Sequence, residues 1–374
     1  MRSLHIVSTI ALMALTTPSN GMECGASPSF SPLRETVTIK AVGDMVLGTT
    51  WPELRIGPGV EKRFFEGVAD DLAGSDIVFG NLEGALTESD DTHKDPSRGT
   101  QFAFRMPPHF AGVLRDAGFN VLNLANNHSA DFGDSGLDDT QRNIRESGML
   151  AIGLKDEIVY QQIRGIRIAW IGFSYLHRHN SIHDLDLVAR LVRRASKSAN
   201  LVIVTFHGGA EGSDALRVYD AEEMYLGENR GNVVKFARTA VESGADLVLG
   251  HGPHVLRGVE CYWQKLIVYS LGNFVGYGAF STKRAAAIST ILDVTLDQDG
   301  WLRRVEFHPI QFNGEHLPEI DPLERSLYLL NDLSVLEPLE VEGKVLDRPL
   351  DADINYRSYL MWRREAGLEK QMVD

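Results

Sequence analysis

The chain reads as an α/β sheet fold, and three observations predict it. Short β-branched apolar runs alternate with helix-like stretches from Thr36 onward, several of those stretches stop at a glycine, and polar residues able to bind metals recur just after the apolar runs. The strands expected are Val37 to Val42, Ile77 to Gly80, Val121 to Leu124, Ile166 to Phe173, Leu201 to Phe206, Leu247 to Gly250 and Leu266 to Tyr269. Between them, Val60 to Ala73, Pro108 to Ala117, Asp134 to Ser147, His183 to Ser198 and Gly231 to Ser243 read as helices. Gly74, Gly118, Gly148 and Gly244 occupy the stop positions, where a left-handed residue closes a helix.

Residues 288 to 308 change character. Ile288 to Leu296 and Trp301 to Phe307 flank Asp297-Gln298-Asp299-Gly300, the pattern of a β-hairpin added late to the sheet. Beyond His308 the signal fades into Pro-rich and acidic segments, with a last helical stretch near Asn355 to Glu365. No internal repeat or low-complexity linker is present.

With 374 residues and 43% apolar content, the chain can bury the core of one large domain or of two ordinary ones. Arg2 precedes the apolar run Leu4 to Leu15, and Thr16, Thr17, Pro18 and Ser19 break it, the order of a secretory signal over residues 1–20. That run is too short to span a bilayer. The expectation is export, to a periplasmic or extracellular location, soluble or tethered to a membrane. Cys24 and Cys261 are too few for a disulfide framework, although a single bridge between them is open. A formal charge of −14, from 37 basic against 51 acidic side chains, argues against a nucleic-acid-coating role, which needs clustered Lys and Arg.

The chemistry is concentrated after the strands. Asp44 follows the first; Asn81 and Glu83 follow the second; Asn126, Asn127 and His128 follow the third; His207, then His251 and His254, follow later ones. Strand carboxyl ends form the ligand-binding edge of α/β sheets, so these five segments are expected to converge. Carboxylates, a carboxamide and several imidazoles make an N/O ligand set suited to Zn²⁺, Mn²⁺ or Fe. Two close metals activate a water and clamp the oxygens of a transition state, with Glu83 or Asp44 able to bridge them. Gly-Pro between His251 and His254 makes a tight turn that can present both imidazoles on one side. His177-Arg178-His179 is a further candidate to line the cleft. Taken singly, Gly43-Asp44 and Asn126-Asn127 are ordinary turn sequences.

In this order the motifs resemble the CapA-type poly-gamma-glutamate capsule synthesis family, a branch of the calcineurin-like metallophosphoesterases. The matching segments are Val42-Gly43-Asp44-Met45-Val46-Leu47-Gly48, Gly80-Asn81-Leu82-Glu83-Gly84, Ala125 to Gly133 with Gly136 and Thr140, His207 with Gly209 and Glu211, Gly250 to His254, and Tyr269 to Phe274. The resemblance implies a four-layer α/β/β/α sandwich over residues 36–310, with 311–374 as an extension packed on the same domain. It further implies a dinuclear centre of divalent transition metals (Mn, Zn or Fe) held by Asp44, Glu83, Asn127, His207, His251 and His254. His128 would then be the general acid, with Asn81, Asn126, Asp131, Glu211 and Asn273 beside the ligands or the substrate.

Four positions depart from the pattern. Val46 stands where the superfamily carries a histidine ligand, Glu83 replaces a bridging aspartate, and Gly208 and Gly252 stand where relatives commonly carry Trp and His. The site is therefore expected to hold two metals unequally, or only one.

The function implied is hydrolysis of a phosphoester or of an amide-type bond in an anionic cell-envelope polymer, associated with poly-gamma-glutamate synthesis and with a membrane-associated synthesis complex as partner. The alternative is a non-catalytic capsule assembly or export factor that binds the polymer. A polyanion would call for basic residues at the cleft, and Arg98, Arg105, Arg178, Arg230 and Arg257 lie on candidate loops.

Overall fold

The computed structural model of the chain describes residues 34–95, 101–334 and 354–368. The proposed signal (residues 1–20), Cys24 and Arg98 lie outside the described residues. Among the described residues no helix is long and apolar enough to cross a membrane.

Two sheets pack face to face. The eight-stranded sheet runs Pro318–Ile320, Leu302–Phe312, Ile288–Asp297, Thr36–Val46, Ile77–Leu82, Val121–Asn123 and Leu150–Ile152, with Asn273–Gly276 pairing parallel to the end of Thr36–Val46. The seven-stranded sheet runs Val259–Tyr262, Lys265–Val268, Leu247–His251, Leu201–His207, Ile166–Ser174 and Val159–Ile163, with Asn180–Ser181 beside the end of Ile166–Ser174. The central strands of both sheets are parallel. The late hairpin Ile288–Asp297 and Leu302–Phe312 adds antiparallel to the first strand.

Side-chain alternation explains the layering, because successive residues of a strand point to opposite faces. In Thr36–Val46, Val37, Ile39 and Ala41 join Ile77, Phe79, Ile168, Trp170, Leu201, Ile203, Leu247 and Leu249 in one apolar layer between the sheets. Phe79 and Trp170 stack across it, centroids 5.4 Å apart and planes at 9°. The opposite faces are covered by helices. Phe110–Asp116 and Gly133–Glu146 lie on the first sheet, burying Phe110, Leu114 and Ile144 against Val78 and Leu122. Leu185–Ser196 and Val233–Glu242 lie on the second, burying Val188, Leu191, Phe236 and Ala240 against Val202, Val204 and Val248. The result is the four-layer α/β/β/α sandwich expected.

All four glycines expected to stop a segment have positive φ, from 83° to 111°. Past the hairpin, Tyr328, Leu329 and Leu333 of the helix Arg325–Leu333 and Tyr359 of the helix Ile354–Glu365 join the core between the sheets.

The expected helix Val60 to Ala73 is corrected: the segment forms two 3₁₀ turns, Val60–Lys62 and Glu66–Val68, and one short helix, Ala69–Leu72. A continuous helix would turn the neighbours Phe64 and Phe65 about 100° apart. The broken path seats both in the core and lays Gly67 against Pro318. The strands Leu150–Ile152, Val159–Ile163, Val259–Tyr262, Asn273–Gly276 and Pro318–Ile320 and the helix Arg325–Leu333 were not anticipated.

Candidate metal centre

The parallel strands place the polar residues in two rows. In the first sheet, Asp44 stands in register with Asn273 on one side and Asn81 on the other, and Asn81 with Asn123. In the second, Ser174, His207 and His251 stand in register across three adjacent strands. Both rows lie at strand carboxyl ends, where α/β sheets bind ligands.

Close backbone approach makes the first row possible. A Cβ on Gly43 would stand 1.9 Å from the carbonyl oxygen of Gly272, which accepts from the Asp44 amide at 2.9 Å. Gly252 has φ 108°, and its amide donates to Asp44 Oδ2 at 3.2 Å; a Cβ there would lie 3.0 Å from the His207 ring. That contact is the local reason a small residue stands at Gly252.

The rows meet at Glu83. Its Oε1 lies 3.6 Å from His254 Nε2, 3.8 Å from His207 Nε2 and 4.0 Å from His128 Nε2. Asp44 lies 3.5 Å from His251 Nδ1 and 3.2 Å from His254 Nδ1. One donor atom from each of Asp44, Glu83 and His254 falls within 4.8 Å of the other two.

Surrounding amides hold these groups in place. Asn81 Nδ2 donates to Asp44 Oδ1 at 2.8 Å, while its Oδ1 accepts from Asn123 and Asn126 at 2.9 and 3.1 Å. His254 Nδ1 donates to Asn273 Oδ1 at 2.9 Å, which leaves Nε2 facing Glu83. Ligand histidines are characteristically held this way through the second nitrogen. His254 itself adopts φ 59°, uncommon for a residue with a Cβ.

The donor set fits a metal by the atoms it leaves unsatisfied. Both Glu83 oxygens, Asn127 Oδ1, His207 Nε2 and both His251 ring nitrogens are buried without a hydrogen-bond partner. Buried polar atoms are normally paired. Here the unpaired ones belong to four of the six side chains expected as ligands, and the remaining two, Asp44 and His254, complete the cluster.

Electrostatics point the same way. Burial drives the Glu83 carboxyl well above its usual pKa, and neighbouring Asp44, Glu211 and Asp131 add to the rise against His254. Burial would also raise Asp44, but the imidazoles of His251 and His254 beside it outweigh burial and hold Asp44 well below the carboxylate range. Burial opposes protonation of His254, yet Glu83 and Asp44 raise it to about 10. Burial pushes His207 well down. A dication would relieve such a crowd of buried carboxylates.

His128 sits at the edge of the cluster, 8% exposed. Its Nδ1 donates to Asp131 Oδ2 at 2.9 Å, and Nε2 is turned toward Glu83. Burial lowers its pKa and outweighs the opposing pull of Asp131. Asp131 also accepts from the Phe104 amide at 2.7 Å and pairs with Lys94, whose Nζ lies 3.2 Å from His128 Nδ1 and 3.3 Å from the Asn127 carbonyl oxygen. Lys94 was not anticipated, because a lone lysine in a polar loop carries no spacing signal.

Several expected neighbours of the cleft lie elsewhere or are already paired. Glu211 accepts from Arg230 Nη1 at 2.7 Å, and Arg230 also packs its guanidinium over Tyr175 at 4.2 Å. Arg257 is fully buried on Glu223, Arg105 pairs with Asp90, and Arg178 lies 3.4 Å from Asp134. Every described arginine among those expected at the cleft thus faces a carboxylate. His179 is buried between Ser174 Oγ at 2.8 Å and Ser129 Oγ at 3.2 Å; with the exposed His177 and His183 it lines a depression that Lys155 and Asp184 also border. Val46 is wholly buried.

Residues 38–277 match the family described as "Bacterial capsule synthesis protein PGA_cap". A "Capsule biosynthesis protein CapA" of Bacillus anthracis is 31% identical over 276 residues, 68% of this chain and 63% of that protein, so the match spans under two thirds of the relative's length. A "PGA biosynthesis protein CapA" of Bacillus subtilis (strain 168) is 29% identical over 364 residues, 89% of this chain and 84% of that one. Among solved structures, a hypothetical protein from Thermus thermophilus overlaps 73% of this chain and 99% of its own with a TM-score of 0.45 at 14% identity. A purple acid phosphatase from yellow lupin seeds overlaps 78% and 55% with a TM-score of 0.37 at 10% identity.

Proposed function

Since the chain belongs to the bacterial capsule synthesis protein PGA_cap family, we propose that it is a metal-dependent hydrolase serving the synthesis of an anionic cell-envelope polymer of the poly-gamma-glutamate kind. The observation that carries this reading is the set of unsatisfied buried donors around Glu83, on Glu83, Asn127, His207 and His251. Asp44, Glu83, Asn127, His207, His251 and His254 would hold the metal, and the ligand types favour Mn, Zn or Fe. Bound there, divalent ions supply Lewis acidity toward a water and toward the substrate's oxygens.

The chain's own residues account for orientation and proton movement. Asn81 and Asn273 fix Asp44 and His254 through directed hydrogen bonds. Asp131 holds His128 by Nδ1 and leaves Nε2 as the ring atom able to exchange a proton with an occupant of the pocket. In hydrolysis, water adds its oxygen to the phosphorus or carbonyl carbon, the bond to the leaving group breaks, the leaving atom takes a proton from protonated His128 Nε2, and the proton that the water gives up passes to solvent, from which His128 is reprotonated. The residues that would hold the metal come from both sheets, so binding there would also tie the two sheets together at this edge.

The substrate is a polymer or phosphoester of the envelope, and the place of action is outside the cytoplasm, a reading supported by Arg2 and the apolar run Leu4 to Leu15. Metal content of the purified protein tests the proposal, wild type beside Asp44→Asn and His251→Ala, with an aryl phosphodiester and poly-gamma-glutamate assayed on the same samples. Bound transition metal with turnover lost in both variants supports it. A wild type that stays free of metal after incubation with Mn²⁺ or Zn²⁺ sinks it.

A further inference from the structure

Two phenylalanines that no motif singles out close over the cluster. The Phe280 ring lies 4.5 Å from the His254 imidazole, centroid to centroid, and the Phe104 ring lies 4.5 Å from that of His128. The two phenyl rings meet each other edge to face, 5.9 Å apart at 89°, a favoured aromatic geometry. Each imidazole therefore has its Nε2 turned to Glu83 Oε1 and a phenyl ring packed against it.

The backbone makes room for both rings. A Cβ on Gly276 would stand 2.5 Å from Phe280 Cβ, and one on Gly84 would stand 3.1 Å from Phe104 Cβ. Gly84 directly follows Glu83, and Gly276 ends the strand that begins with Asn273. Phe104 is further fixed by its amide, which donates to the same Asp131 carboxylate that holds His128, and by its carbonyl, which accepts from Ala85.

We propose that Phe280 and Phe104 are positioning residues, Phe280 for the ligand His254 and Phe104 for the acid His128. This rests on the metal-dependent hydrolase reading. An imidazole held at Nδ1 alone can still swing about that hydrogen bond. A phenyl ring packed on its side removes the alternative rotamers and keeps water from competing for Nε2. Groups that orient a ligand without touching the metal are characteristically worth about 10- to 100-fold in metal affinity.

The test uses the full chain, with Zn²⁺ affinity measured by equilibrium dialysis and imidazole signals read by NMR on histidine-labelled protein. Phe280→Ala is expected to weaken Zn²⁺ binding by about 10-fold or more and to broaden or split the His254 signals, and Phe280→Leu, which keeps apolar bulk, to recover much of the loss. Phe104→Ala is expected to leave Zn²⁺ affinity within about 3-fold, well below the loss expected at Phe280, while disturbing the His128 signals. Thermal melts identify any variant that fails to fold; in that case Phe280→Val and Phe104→Val, which stay apolar but are too short to reach the imidazoles, decide by the same two readouts. If the wild type binds Zn²⁺ and the folded variants match it in affinity and spectrum, the positioning role is overturned while the parent reading stands. If the wild type binds none, both fall.

Discussion

Glu83 and His254 face each other across 3.6 Å inside the protein, a carboxylate carried by one sheet and an imidazole carried by the loop after a strand of the other. With Asp44 they form a cluster that joins the two halves of the sandwich at its ligand-binding edge. An ion bound there stabilises the folded chain alone, because the unfolded chain has no such site. Saturating Mn²⁺ or Zn²⁺ is expected to raise the melting temperature, by an amount equivalent to about 2.7 kcal/mol at a hundredfold excess over Kd. Glu83→Gln and His254→Ala should each lose most of that increment. Melting with and without metal checks it, and an unchanged increment in both variants would remove Glu83 and His254 from the ligand set.

His128 is held by Asp131 and presents Nε2 to the cluster. Replacement by alanine is expected to depend on the leaving group. An ester with an unactivated alkoxide leaving group needs a proton donor and should lose about 10²-fold or more in kcat, whereas a p-nitrophenyl ester should lose far less. Equal losses on both substrates would deny His128 the role of acid.

His179 joins the loop that carries His128 to the end of strand Ile166–Ser174, bonding Ser129 and Ser174. Burial lowers its pKa from 6.5 to about 4. Below pH 6.5 the unfolded chain takes up a proton that the folded chain refuses, so this contribution to stability is full above pH 6.5 and is lost as pH falls toward 4. At 1.36 kcal/mol per pH unit the whole effect is roughly 3 kcal/mol. Denaturant titrations across this range, on wild type and His179→Gln, should show a smaller acid-side loss in the variant. Parallel curves would contradict the assignment.

Gly43→Ala places a methyl group where the Gly272 carbonyl now sits, at 1.9 Å. Overpacking backbone against backbone leaves no rotamer as an escape, so a cost of about 3 kcal/mol or more is expected. The same displacement would move Asn273 away from Asp44, so metal affinity should fall along with stability. Chemical denaturation and metal titration together check this, and a variant as stable as wild type would show that the strand pair can separate freely.

Much of this architecture was legible in the chain because strands advertise themselves. The β-branched runs at Val37, Ile77, Val121, Ile166, Leu201 and Leu247 all mark observed strands, and the glycines at 74, 118, 148 and 244 all take the left-handed conformation expected. The strand Asn273–Gly276 escaped notice because it is short and lies in a motif legible first as chemistry. The segment Val60 to Ala73 misled because its apolar spacing satisfies a helix locally, while the seats for Phe64 and Phe65 lie on the sheet.

The sequence by itself determined which residues are chemically able to bind a metal and that they follow strands, because residue type and strand propensity are local properties. Only the tertiary structure decided that Glu83 meets three imidazoles, that Asn81 and Asn273 orient Asp44 and His254, and that Lys94, Phe104 and Phe280 stand beside the acid and the ligand. Those relations join side chains far apart in sequence and arise from the register of parallel strands and the packing of one sheet on the other, which no local pattern encodes.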